Sequence, residues 1–178
     1  MFKVKAFKGG YDSNFAYLIY DEHSHKAIVI DPIIPEAILS FAEEHAIHIV
    51  YIINTHSHFD HTSGNETILK STKAKLLNLK DSEEITLDSL KIKAIHTPGH
   101  TEDSFCILIN NKALFTGDTL FVNGIGITHS AKEEEQELGS IRKLMLLDES
   151  IIIYPGHDYG KTETSTIRKE KESRLFLE

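Results

Sequence analysis

Apolar and polar positions alternate along much of this chain, which is the pattern of β-strands that bury one face or both. Alternation or short apolar runs predict strands over residues 2–7, 14–20, 26–31, 49–53, 73–79, 84–87, 90–95, 104–109, 112–116 and 151–154. Strands followed by a helix occur twice along the chain, and no linker separates the two halves. The pattern therefore predicts one domain over residues 1–178.

Apolar residues at helical spacing predict three helices. The first begins at Pro35 and carries Ile38, Phe41 and Ala42. A short one extends from residue 63 to about residue 70, and an amphipathic one carries Leu138, Ile141, Leu144, Met145 and Leu147. The charged patch of residues 132–137 is predicted as the solvated start of that last helix. The polar tail after residue 162 is expected to be partly helical and to close on Leu175, Phe176 and Leu177.

Composition and charge exclude several classes of partner. The 178 residues carry a formal net charge of −8 and contain no run rich in Lys or Arg, so a nucleic-acid surface is not expected. No segment reaches the length of a membrane span, and the alternating N-terminus lacks the apolar stretch of a signal peptide. We therefore expect a cytoplasmic protein that acts on a small molecule and has no membrane contact. Whether it forms a homo-oligomer stays open. The single cysteine, Cys106, lies in an apolar run and is predicted to be buried and inert.

The segment after the fourth predicted strand holds the most distinctive chemistry. In Asn54-Thr55-His56-Ser57-His58-Phe59-Asp60-His61, three imidazoles and a carboxylate fall within six residues. Imidazole nitrogen and carboxylate oxygen suit zinc, iron or manganese. Because side chains alternate in an extended segment, we expect His56 and His58 to converge on one ion and Asp60 and His61 to lie beside it. A solvated turn accounts for one or two histidines but not for this density, so the segment is predicted as a metal site.

Three later loops carry further residues of the metal-binding types. These residues are His100, Asp118 and His157, each preceded by a glycine and each placed after a predicted strand. Glycine lets the backbone turn sharply and approach an ion. Loops that follow strands collect at one end of the sheets, so the three loops are expected to meet the histidine-rich segment of residues 54–61.

Taken in order, these segments resemble the motifs of the metallo-β-lactamase superfamily over essentially the whole chain. The matching segments are Thr-His-Ser-His-Phe-Asp-His at 55–61, Thr-Pro-Gly-His-Thr at 97–101, Gly-Asp-Thr-Leu-Phe at 117–121 and Pro-Gly-His-Asp at 155–158. The resemblance implies a four-layer αββα sandwich of the α/β class with a metal site at the edge of its two sheets. It also implies the ligands, which are His56, His58 and His100 for one ion, Asp60, His61 and His157 for a second, and Asp118 between them. Two divalent ions are expected, zinc first, with iron and manganese as alternatives.

Within the superfamily, the ending Tyr-Pro-Gly-His-Asp-Tyr-Gly at 154–160 resembles the glyoxalase II (hydroxyacylglutathione hydrolase) and persulfide dioxygenase branch. That resemblance implies a hydrolase whose metal-bridging hydroxide attacks a thioester or a related ester. Asp60 would orient the nucleophile or relay a proton. Two alternatives stay open, an iron-dependent persulfide dioxygenase and a metal-binding protein without catalysis.

The substrate is less well defined than the metal chemistry. Gly124-Ile125-Gly126-Ile127 stands where members of this branch carry a basic residue that contacts glutathione, and the chain ends where full glyoxalase II proteins add a helical domain. We therefore expect glutathione recognition to be incomplete. Tyr159, next to a ligand loop, and His129, in the loop after Gly126, are the candidate substrate-binding residues.

Overall fold

Alternating residues in the N-terminal half form a five-stranded sheet with the order β1-β2-β3-β4-β5. Its strands are β1 (Phe2–Gly9), β2 (Asn14–Asp21), β3 (Lys26–Ile30), β4 (His48–Ile53) and β5 (Lys75–Leu77). The first three strands are antiparallel, whereas β3, β4 and β5 run parallel. The computed structural model describes residues 1–173, so the predicted apolar end of the tail at residues 175–177 lies outside the described part.

The C-terminal half forms a six-stranded sheet with the order β13-β12-β9-β8-β7-β6, together with a small hairpin. The strands are β6 (Glu84–Leu87), β7 (Leu90–His96), β8 (Phe105–Ile109), β9 (Ala113–Gly117), β10 (Leu120–Phe121), β11 (Gly124–Ile125), β12 (Ile152–Pro155) and β13 (Ser165–Thr166). Strands β10 and β11 pair only with each other, and the sequence pattern did not predict them or β13.

Residues 1–173 contain five helices, which lie on the outer faces of the sheets or in the loops. They are α1 (Pro35–Glu44), α2 (Phe59–Thr62), α3 (Asn65–Ser71), α4 (Ala131–Leu144) and α5 (Ile167–Glu172). Pro35 stands in the first turn of α1 as predicted, where its missing N–H has no intrahelical partner to lose. Ser130 caps α4, since its Oγ accepts the N–H of Glu133 at 3.3 Å. No helix among the described residues is long and apolar enough to cross a membrane.

Three apolar layers make this an αββα sandwich, which confirms the predicted fold class. Phe15 and Ile92 belong to the layer between the two sheets, because alternate residues of both sheets face each other. Leu18 packs outward with Ile38 of α1 in a second layer. A third layer joins the other face of the second sheet to α4 and α5, and it includes Cys106, which is fully buried. Burial raises the pKa of the Cys106 thiol to about 12, in line with the prediction of an inert residue.

Two local predictions need correction. The extended run of the histidine-rich segment ends at His58, because Phe59–Thr62 turns into α2 and places Asp60 and His61 on a helical turn. The charged patch is solvated except at its end, where Glu137 is fully buried under the loop of His100. Burial raises the pKa of Glu137 to about 7, partly offset by the backbone N–H of His100.

The ligand-bearing loops all leave the sheets at one end. Strand β12 is parallel to β9, and β8 runs antiparallel between β7 and β9, so β7, β9 and β12 point the same way. His100, Asp118 and His157 follow these three strands, and the histidine-rich segment follows β4 of the facing sheet. The topology therefore gathers loops that are far apart in sequence at one edge of the sandwich.

Candidate metal centre

The seven predicted ligands meet in overlapping groups at this edge. Within each group, one ligand atom per residue lies within 4.8 Å of the others. The groups are His56, His58 and His100; His56, His61 and Asp118; and Asp60, His61 and His157. The first and third coincide with the two ligand sets that the sequence resemblance implied.

In the first group, ring nitrogens face one another across a small space. His58 Nδ1 lies 2.9 Å from His56 Nε2 and 3.1 Å from His100 Nε2. Three imidazoles at these distances cannot all direct an N–H at one another. Their converging lone pairs suit a shared cation.

The third group surrounds a second space beside the first. His61 Nε2 and His157 Nε2 lie 3.3 Å apart. Asp60 Oδ2 lies 3.7 Å from the His61 nitrogen and 3.5 Å from the His157 nitrogen.

Asp118 lies between these two groups. Its Oδ1 is 3.3 Å from His61 Nε2, and its Oδ2 is 3.6 Å from His100 Nε2 and 3.3 Å from His157 Nε2. One carboxylate thus faces both sets of ring nitrogens. Gly156 permits this approach, because a Cβ atom there would lie 2.4 Å from Asp118 Oδ1.

Three histidines use their outer ring nitrogen to donate a hydrogen bond, and this sets which nitrogen faces the centre. His61 Nδ1 donates to Asp31 Oδ2 at 2.9 Å. His100 Nδ1 donates to the Ile127 carbonyl at 2.9 Å, and His157 Nδ1 to the Asp12 carbonyl at 2.7 Å. Carbonyl and carboxylate oxygens only accept, so each Nε2 is left free to bind a cation, as metal-binding histidines require.

Asp31 is the main functional residue that the sequence analysis missed. It is buried, and besides His61 it accepts the Thr55 N–H at 2.8 Å and the Thr55 hydroxyl at 2.6 Å. The Thr55 oxygen in turn lies 3.2 Å from His56 Nδ1, so Asp31 orients two of the histidines. The available signal was its place directly after β3, which is the rule that identified the other loops.

Asn14 was also missed, and it supports the third group. The buried Asn14 Nδ2 donates to Asp60 Oδ2 at 3.0 Å and to the Asp60 carbonyl at 3.1 Å. Nothing in the sequence distinguishes Asn14 from the ordinary polar start of a strand. Its role depends on the turn between β1 and β2, which approaches α2 only in the folded chain.

Burial and neighbouring charges separate the pKa values of the cluster. Burial, reinforced by His61, lowers the pKa of His56 to about 4, so that ring is neutral at neutral pH. Burial opposes a charge on His61, but Asp31 and Asp118 outweigh it and raise the pKa of His61 to about 10. Burial likewise opposes the charge on Asp118, yet the neighbouring His157 and His61 rings hold its pKa well below the usual range. The surroundings therefore demand a positive charge beside Asp118.

The donor set fits divalent metal ions. Inner nitrogens converge and outer nitrogens are already bonded, which is the arrangement of orientated metal ligands. Within the described part of the chain, Asp118 Oδ1 is buried and accepts no hydrogen bond, which a cation would satisfy. Five imidazoles and two carboxylates, without a thiolate, suit zinc, iron or manganese.

The two predicted substrate-binding residues differ in their distance from the metal ligands. Tyr159 stacks on His157 with ring centroids 4.8 Å apart, and its hydroxyl donates to Asp12 Oδ2 at 2.5 Å. It is 53% exposed and therefore lies at the mouth of the centre. His129 is exposed just before α4, and among residues 1–173 no hydrogen bond or ring contact joins it to the cluster; its N–H donates to Glu133.

Thr55, Thr101 and Asp158 are polar residues of the ligand-bearing motifs, and their contacts differ from one another. Thr55 contacts the centre through Asp31 and His56 as described. Thr101 bonds Ser104 within its own loop at 2.7 Å, and Asp158 pairs with Lys8. These two are ordinary turn and surface interactions.

Comparisons with known proteins agree with this geometry. The family model of the Metallo-beta-lactamase superfamily matches residues 9–88 and 75–157. The chain is 32% identical over 171 residues to a probable hydroxyacylglutathione hydrolase of Schizosaccharomyces pombe, which covers 86% of this chain and 67% of the relative. It is also 32% identical over 206 residues to the cytoplasmic isozyme of hydroxyacylglutathione hydrolase from Saccharomyces cerevisiae, covering 94% of this chain and 73% of the relative.

A solved structure is similar over nearly all of this chain. The crystal structure of ETHE1 from Myxococcus xanthus matches with a TM-score of 0.89 at 27% identity, over 97% of this chain and 83% of that chain. The first curated relatives are longer, and the chain spans 67%, 64% and 68% of their lengths. This chain belongs to the metallo-β-lactamase superfamily and, within it, to the branch that contains the hydroxyacylglutathione hydrolases.

Proposed function

We propose that this protein is a metal-dependent hydrolase that cleaves a thioester. One observation carries the proposal: two groups of three ligands lie side by side, and the carboxylate of Asp118 faces His100 in one and His157 in the other. The names of the relatives add the substrate class, since a hydroxyacylglutathione is a thioester. The name of the yeast relative also supports a cytoplasmic location.

The ligands divide between two ions in this proposal. His56, His58 and His100 would hold one, and Asp60, His61 and His157 the other, with Asp118 between them. Zinc suits this set best, and iron or manganese suit it as well. When bound, such ions supply Lewis acidity and lower the pKa of a water towards 7.

The chain's own residues position the reacting groups. The Asn14 amide donates a hydrogen bond to Asp60 Oδ2, which fixes the orientation of this partly exposed carboxylate towards the centre. Asp60 can accept a hydrogen bond from the attacking water and orient it towards the carbonyl carbon. A thiolate leaving group needs little protonation, so a thioester suits a centre in which no extra general acid was found among the described residues.

Exposed apolar side chains around the centre favour a substrate with apolar surface. Tyr11 and Phe59 are 70% and 67% exposed, and their ring centroids lie 5.8 Å apart. Phe59 adjoins Asp60 of the third group, and Tyr11 adjoins Asp12, whose carbonyl accepts from His157 of the same group. Ile127, whose carbonyl accepts from His100, is 71% exposed and is the residue at the place of the expected cation. The rim therefore offers hydrophobic contact to a small-molecule substrate.

The deciding experiment measures metal content together with turnover of a panel of thioesters, lactones and a persulfide. We expect about two zinc, manganese or iron ions per chain and thioester turnover that Asp60→Ala lowers by about 100-fold or more. Asp148→Ala is the matched control, because Asp148 is an exposed carboxylate whose side chain bonds Ser150 within its own turn. Metal binding without turnover of any compound would support a non-catalytic protein instead, and undiminished turnover in Asp60→Ala would remove Asp60 from the mechanism.

An iron-dependent persulfide dioxygenase is the second candidate. His56, His61 and Asp118 form a compact group of two histidines and one carboxylate, a set typical of non-haem iron oxygenases. The similarity to ETHE1 points to the same branch. Iron at one ion per chain, with oxygen uptake on adding a persulfide and no thioester turnover, would favour this function over hydrolysis.

Tyr159 is the substrate-binding residue that we propose, and His129 is the comparison. Tyr159→Ala is expected to raise KM by about 10-fold, because about 1–2 kcal/mol of aromatic contact with the substrate is lost. His129→Ala is expected to leave KM and kcat within about twofold, since substitution of an isolated surface residue has little effect. Steady-state kinetics on the best thioester tests both, and the reverse pattern would exchange their roles.

A further inference from the structure

Three side chains on one face of α4 form hydrogen bonds with the backbone of the loop that carries His100. The contacts are Lys143 Nζ to the His96 carbonyl at 3.1 Å, Ser140 Oγ to the Pro98 carbonyl at 2.7 Å, and the His100 N–H to Glu137 Oε2 at 2.9 Å. The three helix residues are spaced three apart and so share one face of the helix. We call Glu137, Ser140 and Lys143 the α4 polar stripe.

Glu137 is the most constrained member of the stripe. Its side chain is 0% exposed, and within residues 1–173 only one of its two carboxylate oxygens has a hydrogen-bond partner. Burying a carboxylate with one oxygen unpaired costs free energy, so stability of the fold does not explain this residue. An apolar residue would be the simpler solution at a buried helix position.

The backbone of α4 touches the ligand loop directly at Gly99. Gly99 has φ of +151°, and a Cβ atom there would lie 2.4 Å from Glu137 Cα. The residue before the ligand is therefore pressed against the helix, and a side chain at position 99 would force them apart. Very little freedom is left for the His100 backbone.

Glu137 also lies against the loop that orients the His100 ring. A Cβ atom at Gly126 would be 3.1 Å from Glu137 Oε1 and 2.9 Å from His100 Cβ. The next residue, Ile127, provides the carbonyl that accepts from His100 Nδ1. Glu137 thus sits between the two backbone segments that determine where His100 points.

We propose that the α4 polar stripe, and Glu137 above all, positions His100 for metal binding. Glu137 holds the backbone of the ligand, and the 124–127 loop beside it holds the ring. This role rests on the metal centre of the proposed function, and it assigns to α4 a task beyond covering the second sheet. Glu137 is a positioning residue, because it acts on the metal only through His100.

Glu170 provides a matched control for an ordinary structural role. It too is a fully buried glutamate on a helix, with one oxygen that accepts a backbone N–H, from Asn123 at 2.9 Å, and one oxygen without a partner among the described residues. It contacts none of the seven ligands. Substitution at Glu170 therefore reproduces the cost of removing a buried carboxylate without touching His100.

The test is zinc affinity, measured on metal-free protein by competition with a chromophoric chelator, alongside unfolding in urea. Glu137→Leu is expected to weaken zinc binding by about 10- to 100-fold, the usual effect of removing a group that orients a ligand. Glu137→Gln should stay within about threefold of the wild type, because its amide oxygen can still accept the His100 N–H. Glu170→Leu should lose stability yet bind zinc as the wild type does.

A second pair of variants keeps the test decisive if Glu137→Leu does not fold. Ser140→Ala, which frees the Pro98 carbonyl, is expected to weaken zinc binding by about three- to tenfold. Ser130→Ala removes the cap of the same helix without touching the loop and should leave zinc affinity unchanged.

Unchanged affinity in a folded Glu137→Leu, or in Ser140→Ala, would overturn the inference, as would an equal loss of affinity in Glu170→Leu. In those cases the wild type would still bind zinc, and the proposed function would stand. A wild-type protein that binds no zinc, manganese or iron would overturn the proposed function and this inference together.

Discussion

Asp118→Asn is expected to lower thioester turnover by about a thousandfold or more and to reduce the zinc content to one ion or none. Asp118 faces both ligand groups, at 3.6 Å from His100 Nε2 in the first and 3.3 Å from His157 Nε2 in the third, so its charge would serve both ions. An amide keeps the shape but removes the negative charge that a buried dication requires. Losing the Lewis acidity of a bound metal raises the barrier by about 4 kcal/mol or more, which corresponds to that factor in rate.

The control for this prediction is Asp148→Asn, which makes the same chemical change at an exposed position. The Asp148 carboxylate accepts hydrogen bonds from the N–H and the hydroxyl of Ser150, in the turn before β12. Elemental analysis of dialysed protein and steady-state kinetics are the two measurements. Full metal content and near-normal kcat in Asp118→Asn would show that this carboxylate is not shared between ions.

Asp31→Asn is expected to reduce both the stability of the fold and its affinity for metal. Asp31 accepts the N–H and the hydroxyl of Thr55 and the Nδ1–H of His61, all out of water. An amide nitrogen in place of one oxygen would face a donor, so at least one of these bonds is lost. We expect the free energy of unfolding to fall by about 3 kcal/mol and zinc affinity to fall by about 10- to 100-fold.

Asparagine is the suitable replacement because Asp31 has φ of +50°, a left-handed conformation that asparagine tolerates. Asp21→Asn is the matched control. Asp21 ends the neighbouring antiparallel strand at the opposite end of the sheet, where it accepts the N–H groups of His23 and Ser24. Urea unfolding should show a loss for both variants, whereas chelator competition should show weaker zinc binding for Asp31→Asn alone. Equal zinc affinities would mean that Asp31 supports only the fold.

The sequence analysis was most successful where the residues of an element themselves indicate its secondary structure. Pro35 and the apolar spacing behind it predicted α1, and alternation predicted the main strands of both sheets. The prediction that Glu137 is solvated was wrong, because the pattern of charges along α4 does not reveal that the loop after β7 covers this part of the helix. The assignment of His129 to the substrate stays a prediction without a supporting contact in the described residues.

Sequence by itself determined the strands and the kinds of ligand that follow them, because those features depend on local periodicity and on residue types. The resemblance of its motifs to a known superfamily added the family and the αββα class. Only the tertiary structure decided which atoms face one another. The shared position of Asp118, the support of Asp31 and Asn14, and the place of Glu137 beneath His100 all join residues far apart in the chain. Such contacts depend on how two sheets and a helix pack against each other, and spacing along the chain carries no information about that packing.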